Sequence, residues 1–225
     1  MSLFALAWSA LALGFVHGLG ADHLMAIAAL AVDRRAGRTR PGIVQTAVGF
    51  ALGHTIVLGL GATAAVLFGL VLPVTYQSGA ERLGGVMLVA LGATGLWGVI
   101  SGQAYGHLHQ ESDGRTRWHL HFGAPHRPHG HSPLPTAVGA LFAVSSLRAL
   151  MLLEPFGASA ARLALPVLLI LNVLFGIGIL MAMSLFGVLL ARLFSLAAVE
   201  VLARAAAAIV SLASVFLGIY WMVAW

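Results

Sequence analysis

Phe15 to Leu24 reads FVHGLGADHL, which places two imidazoles and a carboxylate, His17, His23 and Asp22, within seven residues of an apolar run. A third imidazole, His54, interrupts the apolar stretch GFALGHTIVL that begins at Gly49. Imidazole and carboxylate without thiolate form a donor set for a divalent first-row cation, since soft-metal and Cu(I) sites draw on Cys or Met. The chain has no cysteine, which removes disulfides, thiolate ligands and Cys nucleophiles together. An HExxH pair is missing, so zinc-protease chemistry is unsupported, and without a GxxxxGK[ST] loop nothing in the chain points to nucleotide hydrolysis. The groups are therefore read as a binding or transport site and not as an enzyme's.

The cost of such groups depends on what surrounds them. Of 225 residues, 60% are hydrophobic and 8% are charged, whereas a soluble domain carries about 25% charged residues. The composition is that of an integral membrane protein, and residues 1–225 leave room for one transmembrane domain and no separate soluble one. Six apolar runs are long enough to cross, roughly 2–32, 43–72, 83–101, 134–153, 163–191 and 205–225. The expected fold is thus all-α and polytopic, with six transmembrane helices. The N-terminus lacks a basic n-region and reads as a retained first span.

The net charge of +5 comes from Arg alone among the cations, because Lys is absent. Arg34, Arg35, Arg38 and Arg40 lie in the first connection, Arg115, Arg117 and Arg127 in the third, and Arg192 and Arg204 in the fifth. The intervening connections hold only Arg82 and Arg162. This asymmetry is a topology signal and not a nucleic-acid footprint. It puts the odd connections in the cytoplasm and both termini outside the cytoplasmic membrane. Three spans per half make any internal duplication a 3+3 inverted-topology repeat, and the Leu-Met step shared by DHLMAIAAL and RALMLLEPF sets Asp22 opposite Arg148.

At a rise of about 1.5 Å per residue, His23 lies about 14 Å, His17 about 22 Å and His54 roughly 18 Å from the cytoplasmic ends of their spans. Ionisable groups at such depth cost a few kcal/mol when unpaired and by default mark an ion or substrate path. The competing reading is an Asp–His hydrogen-bonded clasp between helices. On an unbroken helix His17 and Asp22 would stand about 140° apart and Asp22 and His23 about 100° apart, so they could not meet at one point. Gly18 and Gly20 lie between them, and glycine lets a span unwind where the freed backbone lines a polar cavity. The first helix is therefore expected to be discontinuous, as in many secondary transporters.

His17, four residues, then Asp22-His23 is an H-x4-D-H pattern that resembles the signature of the nickel/cobalt transporter family, and LGHTIVL at 52–58 is similar to that family's next-span motif around a histidine. The resemblance covers roughly residues 12–60. It implies a polytopic permease whose cargo is Ni2+ or Co2+, with His17, Asp22, His23 and His54 as the matching metal-selectivity positions and no intrinsic cofactor. It also implies a cytoplasmic middle loop. Family importers usually carry further acidic motifs in later helices, and residues 163–191 here contain no Asp or Glu. The chain in this respect resembles the shorter six-span relatives, including urease-associated permeases and efflux-type members.

From the second half, Ser145, Ser146, Asn172 and Ser184 are polar groups that could face the site. Asn172 is the strongest contributor among them because an amide is costly in lipid. Arg148, inside the fourth span, is placed to snorkel or to pair with Asp22 or Glu154. Residues 103–133 hold seven of the ten histidines, His107, His109, His119, His121, His126, His129 and His131. Pro125, Pro128 and Pro133 exclude a continuous helix, and H-x-H in an extended segment puts two rings on one face. The segment reads as a flexible metal-binding cytoplasmic loop, against the alternative of a polar linker with incidental affinity.

The expectation is an alternating-access uptake permease for a divalent metal in a lipid bilayer. An efflux permease on the same scaffold is the first alternative. A haem-binding electron carrier using His17 and His54 as axial ligands is the second, and it leaves Asp22-His23 without a use.

Overall fold

Ser2 starts the first helix: its hydroxyl accepts the amide of Ala5 at 3.2 Å, which satisfies one of the donors that a helix N-terminus leaves open. The computed structural model describes residues 2–32, 40–68, 74–101, 104–110, 116–122, 133–146, 165–196 and 200–224. Among these, seven helices and one hairpin follow in the order α1 (Leu3–Gly18), α2 (Ala21–Val32), α3 (Arg40–Phe68), α4 (Val74–Ile100), β1 (Ala104–Gln110), β2 (Thr116–Phe122), α5 (Leu134–Ser145), α6 (Leu165–Leu196) and α7 (Glu200–Ala224).

The six-span expectation needs correction. Four helices, α3, α4, α6 and α7, are long and apolar enough to cross a membrane, and α1 with α2 would make a fifth span as a pair bent by 52°. The expected fourth span, 134–153, is described only as the 12-residue α5. At about 1.5 Å per residue it is about 18 Å long, well short of a hydrocarbon core of about 30 Å. Its helical bonding ends at Ser146, whose amide donates to Phe142 O and Ala143 O. The protein is a multi-pass α-helical membrane protein with four to five apolar spans among the described residues.

Helices pair as α1 with α6, α3 with both α5 and α6, and α4 with α7, while α2 touches every helix from α3 to α7. Such an inner helix must be apolar all round. Ala26, Ile27, Ala28, Ala29, Leu30 and Ala31 are accordingly all buried, and the four alanines let surrounding backbones come close. Outward-facing positions such as Leu60, Ile100, Val173, Leu193, Phe216 and Val223 are exposed, a surface suited to lipid.

Small residues set the closest approaches. Gly14 lies on the backbone of Phe175, and Gly178 on that of Leu11 and Phe15. Gly139 likewise lies on the backbone of Phe50, and Gly53 on that of Thr136 and Ala140. A constant displacement of 125 residues relates the two sets: Leu11, Gly14 and Phe15 become Thr136, Gly139 and Ala140, and Phe50 and Gly53 become Phe175 and Gly178. What recurs among the described residues is therefore a helix-pair contact, α1 on α6 and α5 on α3.

Candidate metal centre

The break between α1 and α2 is what makes the site. After Gly18 the helix tightens, with the Leu19 amide donating to Phe15 O at 3.3 Å and Val16 O at 3.1 Å, and the Gly20 amide donating to His17 O at 2.9 Å. The chain then restarts as α2 in a new direction, with Leu24 N donating to Gly20 O at 3.0 Å. His17 sits in the last turn of α1 and Asp22 in the first turn of α2. The 52° bend removes the angular separation that a straight helix would impose.

His54, from the middle of α3, completes a cluster with His17 and His23 in which one nitrogen from each ring lies within 4.8 Å of the others. His17 Nε2 and His54 Nε2 are 3.4 Å apart. Two nitrogens bound at about 2.0–2.1 Å to a tetrahedral metal stand about 3.4 Å apart, so this pair already has a tetrahedral bite. The rings of His17 and His23 are 4.8 Å apart, and those of His23 and His54 are 4.6 Å apart, each pair edge to face. His23 and His54 are fully buried and His17 partly so.

Asp22 Oδ1 stands 3.5 Å from His23 Nδ1, too long for a good hydrogen bond. Among the described residues Nδ1 of His23 has no hydrogen-bond partner. The other nitrogen, Nε2, lies 3.0 Å from Ser146 Oγ at the end of α5. A simple Asp–His clasp would satisfy Nδ1, and here it does not.

Two phenylalanines bracket the cluster. Phe175 stacks on His17 with centroids 5.8 Å apart and planes at 26°, and Phe50 stacks on His54 at 6.1 Å and 9°. The register of α3 against α6 shows which side each occupies. Asn172 Nδ2 donates to Gly59 O at 2.9 Å and to Thr63 Oγ1 at 2.8 Å, while Gly176 approaches Thr55 and Gly187 approaches Ala47. The two helices thus run antiparallel, and Phe175 falls near the level of Ile56, beyond His54. Phe50 lies one turn before it. Phe50 and Phe175 are also counterparts under the displacement of 125, whereas His17 and His54 map onto Phe142 and Ile179, both buried apolar residues. The packing recurs; the donor set does not.

The structure brings His17, His23 and His54 together, with Asp22 beside His23 Nδ1 at 3.5 Å and outside the group whose donor atoms converge. Asn172 is not among them, because its amide is engaged by α3. His107, His109, His119 and His121 lie on the antiparallel hairpin, where Cα register sets His107 opposite His119, Tyr105 opposite His121 and His109 opposite Arg117. His126, His129, His131, Arg148 and Glu154 lie outside the described residues. Sequence reasoning gave Ser146 no particular weight and overlooked Phe50 and Phe175. It also missed Glu81, which is buried in α4; starting the third span at residue 83 hid it, although a carboxylate beside an apolar run was signal enough.

Comparison with protein-family models, with characterised proteins and with solved structures finds no match to this chain. What stands on its own geometry is a multi-pass α-helical membrane protein with a buried three-histidine cluster that could coordinate a metal ion.

Proposed function

We propose that the chain is a permease for a divalent transition-metal ion, Ni2+ or Co2+, and that His17, His23, His54 and Asp22 bind the ion between opposite openings of the helix bundle. The observation that carries this reading is the convergence of three imidazole nitrogens within 4.8 Å at the break of an apolar helix. Buried ionisable groups in a bundle are expensive and cluster on ion paths, and a broken helix is a recurrent way of building an ion site in membrane transporters. Three imidazoles and a carboxylate suit borderline divalent cations better than Mg2+ or Ca2+, which prefer all-oxygen ligands. The H-x4-D-H pattern and its nickel/cobalt family resemblance support the choice of metal.

Uptake is the proposed direction. An inside-negative potential contributes about 4.6 kcal/mol per 100 mV to inward movement of a divalent ion, twice the single-charge value, so import needs no coupled ion and efflux would. The Arg distribution supports both termini outside and the hairpin inside.

The test is radiometal uptake by proteoliposomes containing the purified chain, with Ni2+, Co2+ and Zn2+ in competition and an imposed potential. Saturable Ni2+ or Co2+ entry, accelerated by an inside-negative potential and lost in His23→Ala, is the expected result. Zinc outcompeting both would reject the metal assignment, and absence of any saturable flux would reject the permease.

A further inference from the structure

We propose that Ser146 is a positioning residue that holds His23 in its Nε2–H tautomer, so that Nδ1, next to Asp22 Oδ1, is the nitrogen offered to the metal. The inference rests on the metal-site reading above and adds to it which atom of His23 binds and what keeps that atom available.

The argument is a count of protons. Ser146 Oγ is 3.0 Å from Phe142 O and 3.0 Å from His23 Nε2. A hydroxyl has one proton to give, and a carbonyl oxygen can only accept. Phe142 O also takes the Ser145 hydroxyl at 2.8 Å and the Ser146 amide at 3.1 Å; where Ser146 Oγ donates to it as a third donor, the contact with His23 is a hydrogen bond only if Ser146 accepts from His23 Nε2–H. The neutral ring then carries its lone pair on Nδ1. Metal-bound histidines commonly use one nitrogen as ligand and donate the other to a fixed acceptor, which sets both tautomer and ring angle.

Two further observations point the same way. Nδ1 of His23 is buried and has no hydrogen-bond partner among the described residues, as expected of an atom kept for a ligand. A Cβ added at Gly20 would meet both His23 Nδ1 and Asp22 Oδ1, so the absent side chain keeps open the space where these two donor atoms converge. Gly20 does not adopt the left-handed backbone that would by itself demand glycine, which leaves the room beside Nδ1 as its reason.

Without Ser146 the balance should reverse. Nε2 would lose its acceptor, and the nearest carboxylate, Asp22 at 3.5 Å from Nδ1, would draw the proton to Nδ1 and block the lone pair. The hydroxyl therefore acts through the proton it keeps on the far side of the ring.

The experiment uses the full chain with 15N-labelled histidine, metal-free in detergent or lipid, with the His23 signals assigned by their loss in His23→Gln. Wild type should show a protonated Nε2 and an unprotonated Nδ1, Ser146→Ala should move the proton to Nδ1, and Ser146→Thr should restore the wild-type pattern. Equilibrium Ni2+ binding should weaken about 10–100-fold in Ser146→Ala, the usual cost of losing an outer partner of a metal-bound histidine. It should be kept in Ser146→Thr and in the control Ser145→Ala, whose hydroxyl bonds Phe142 O. A wild-type His23 protonated on Nδ1 overturns the proposal, and so does a folded Ser146→Ala that binds Ni2+ as wild type does. If the wild-type chain binds neither Ni2+ nor Co2+, the metal reading fails by itself. The 15N spectrum then still decides the hold of Ser146 on His23.

Discussion

The ten histidines fall into two populations, three in the helix bundle and seven between residues 107 and 131. The bundle histidines come from three separate helices and are fixed by packing: Phe175 stacks on His17, Phe50 on His54, and Ser146 holds His23. Six of the second group arrive as H-x-H pairs, with His126 standing alone, and four of them lie on a two-stranded hairpin. On the proposed reading, the same imidazole serves two different ends. In the bundle, position is set in advance at the cost of burying polar rings, and the return is a defined coordination geometry. For the segment 107–131 the proposed role is local metal concentration by histidines close together in sequence.

If that division holds, removing any bundle ligand should have the largest effect. His17→Ala, Asp22→Ala, His23→Ala and His54→Ala are each expected to abolish transport, a loss beyond the 10–100-fold typical of outer partners, while folded protein remains in the membrane. Uptake assays and size-exclusion profiles check this, and wild-type rates in two or more of the four would dissolve the site.

Gly20→Ala sharpens the comparison without touching a ligand. The added methyl occupies the space between His23 Nδ1 and Asp22 Oδ1, so metal affinity should fall about tenfold, as when ligand orientation is disturbed. Titration of the purified variant with Ni2+ measures it, and unchanged affinity would show that the metal does not sit there.

A smaller effect is expected from deleting residues 107–131. Loop closure costs little when length changes, and the bundle ligands remain. Apparent affinity or final accumulation should shift by a few fold at most, about 1 kcal/mol in binding, with the maximal rate kept. A folded deletion variant that transports nothing at saturating metal would place the segment on the obligatory path.

The smallest effect is that of pH on the segment. An imidazole must be neutral to bind a metal, and in water it protonates near about pH 6.5. The difference between wild type and deletion variant should therefore be present above that value and fade as the hairpin side is acidified toward about pH 5.5. Comparing the two proteins at several pH values reads it directly, and a difference that persists at low pH would mean that the segment acts by something other than its histidines.

The bundle site was legible where residues were out of place. His17, Asp22, His23 and His54 are costly in an apolar run, and Gly18 and Gly20 marked where a helix would have to break to gather them. The support around the site was hidden because its members look ordinary. Phe50 and Phe175 are indistinguishable in sequence from lipid-facing aromatics. A serine in a helix usually bonds back to its own preceding turn; Ser145 does so to Phe142, and only the fold shows that Ser146 also reaches His23. Asn172 was weighed as a contributor to the site because an amide is costly in lipid, and that cost is met by Gly59 and Thr63 instead. The run 134–153 was read as a span from its apolar length alone, and its described part is the 12-residue α5, too short to cross. The shared Leu-Met step came within one residue of the displacement that relates the α1 and α5 contacts.

The gap at Leu19–Gly20 also has an electrical meaning. A helix C-terminus carries about half a negative charge and an N-terminus about half a positive one, so the end of α1 and the start of α2 meet here and nearly cancel. Asp22, counted as a carboxylate, leaves the empty break with about one net negative charge, and a divalent ion changes that to about one net positive charge. Charging cost in a low-dielectric interior grows as the square of the charge. If the proposed ion binds there, the loaded and empty states are matched in magnitude, and each costs about a quarter of what a bare divalent ion would.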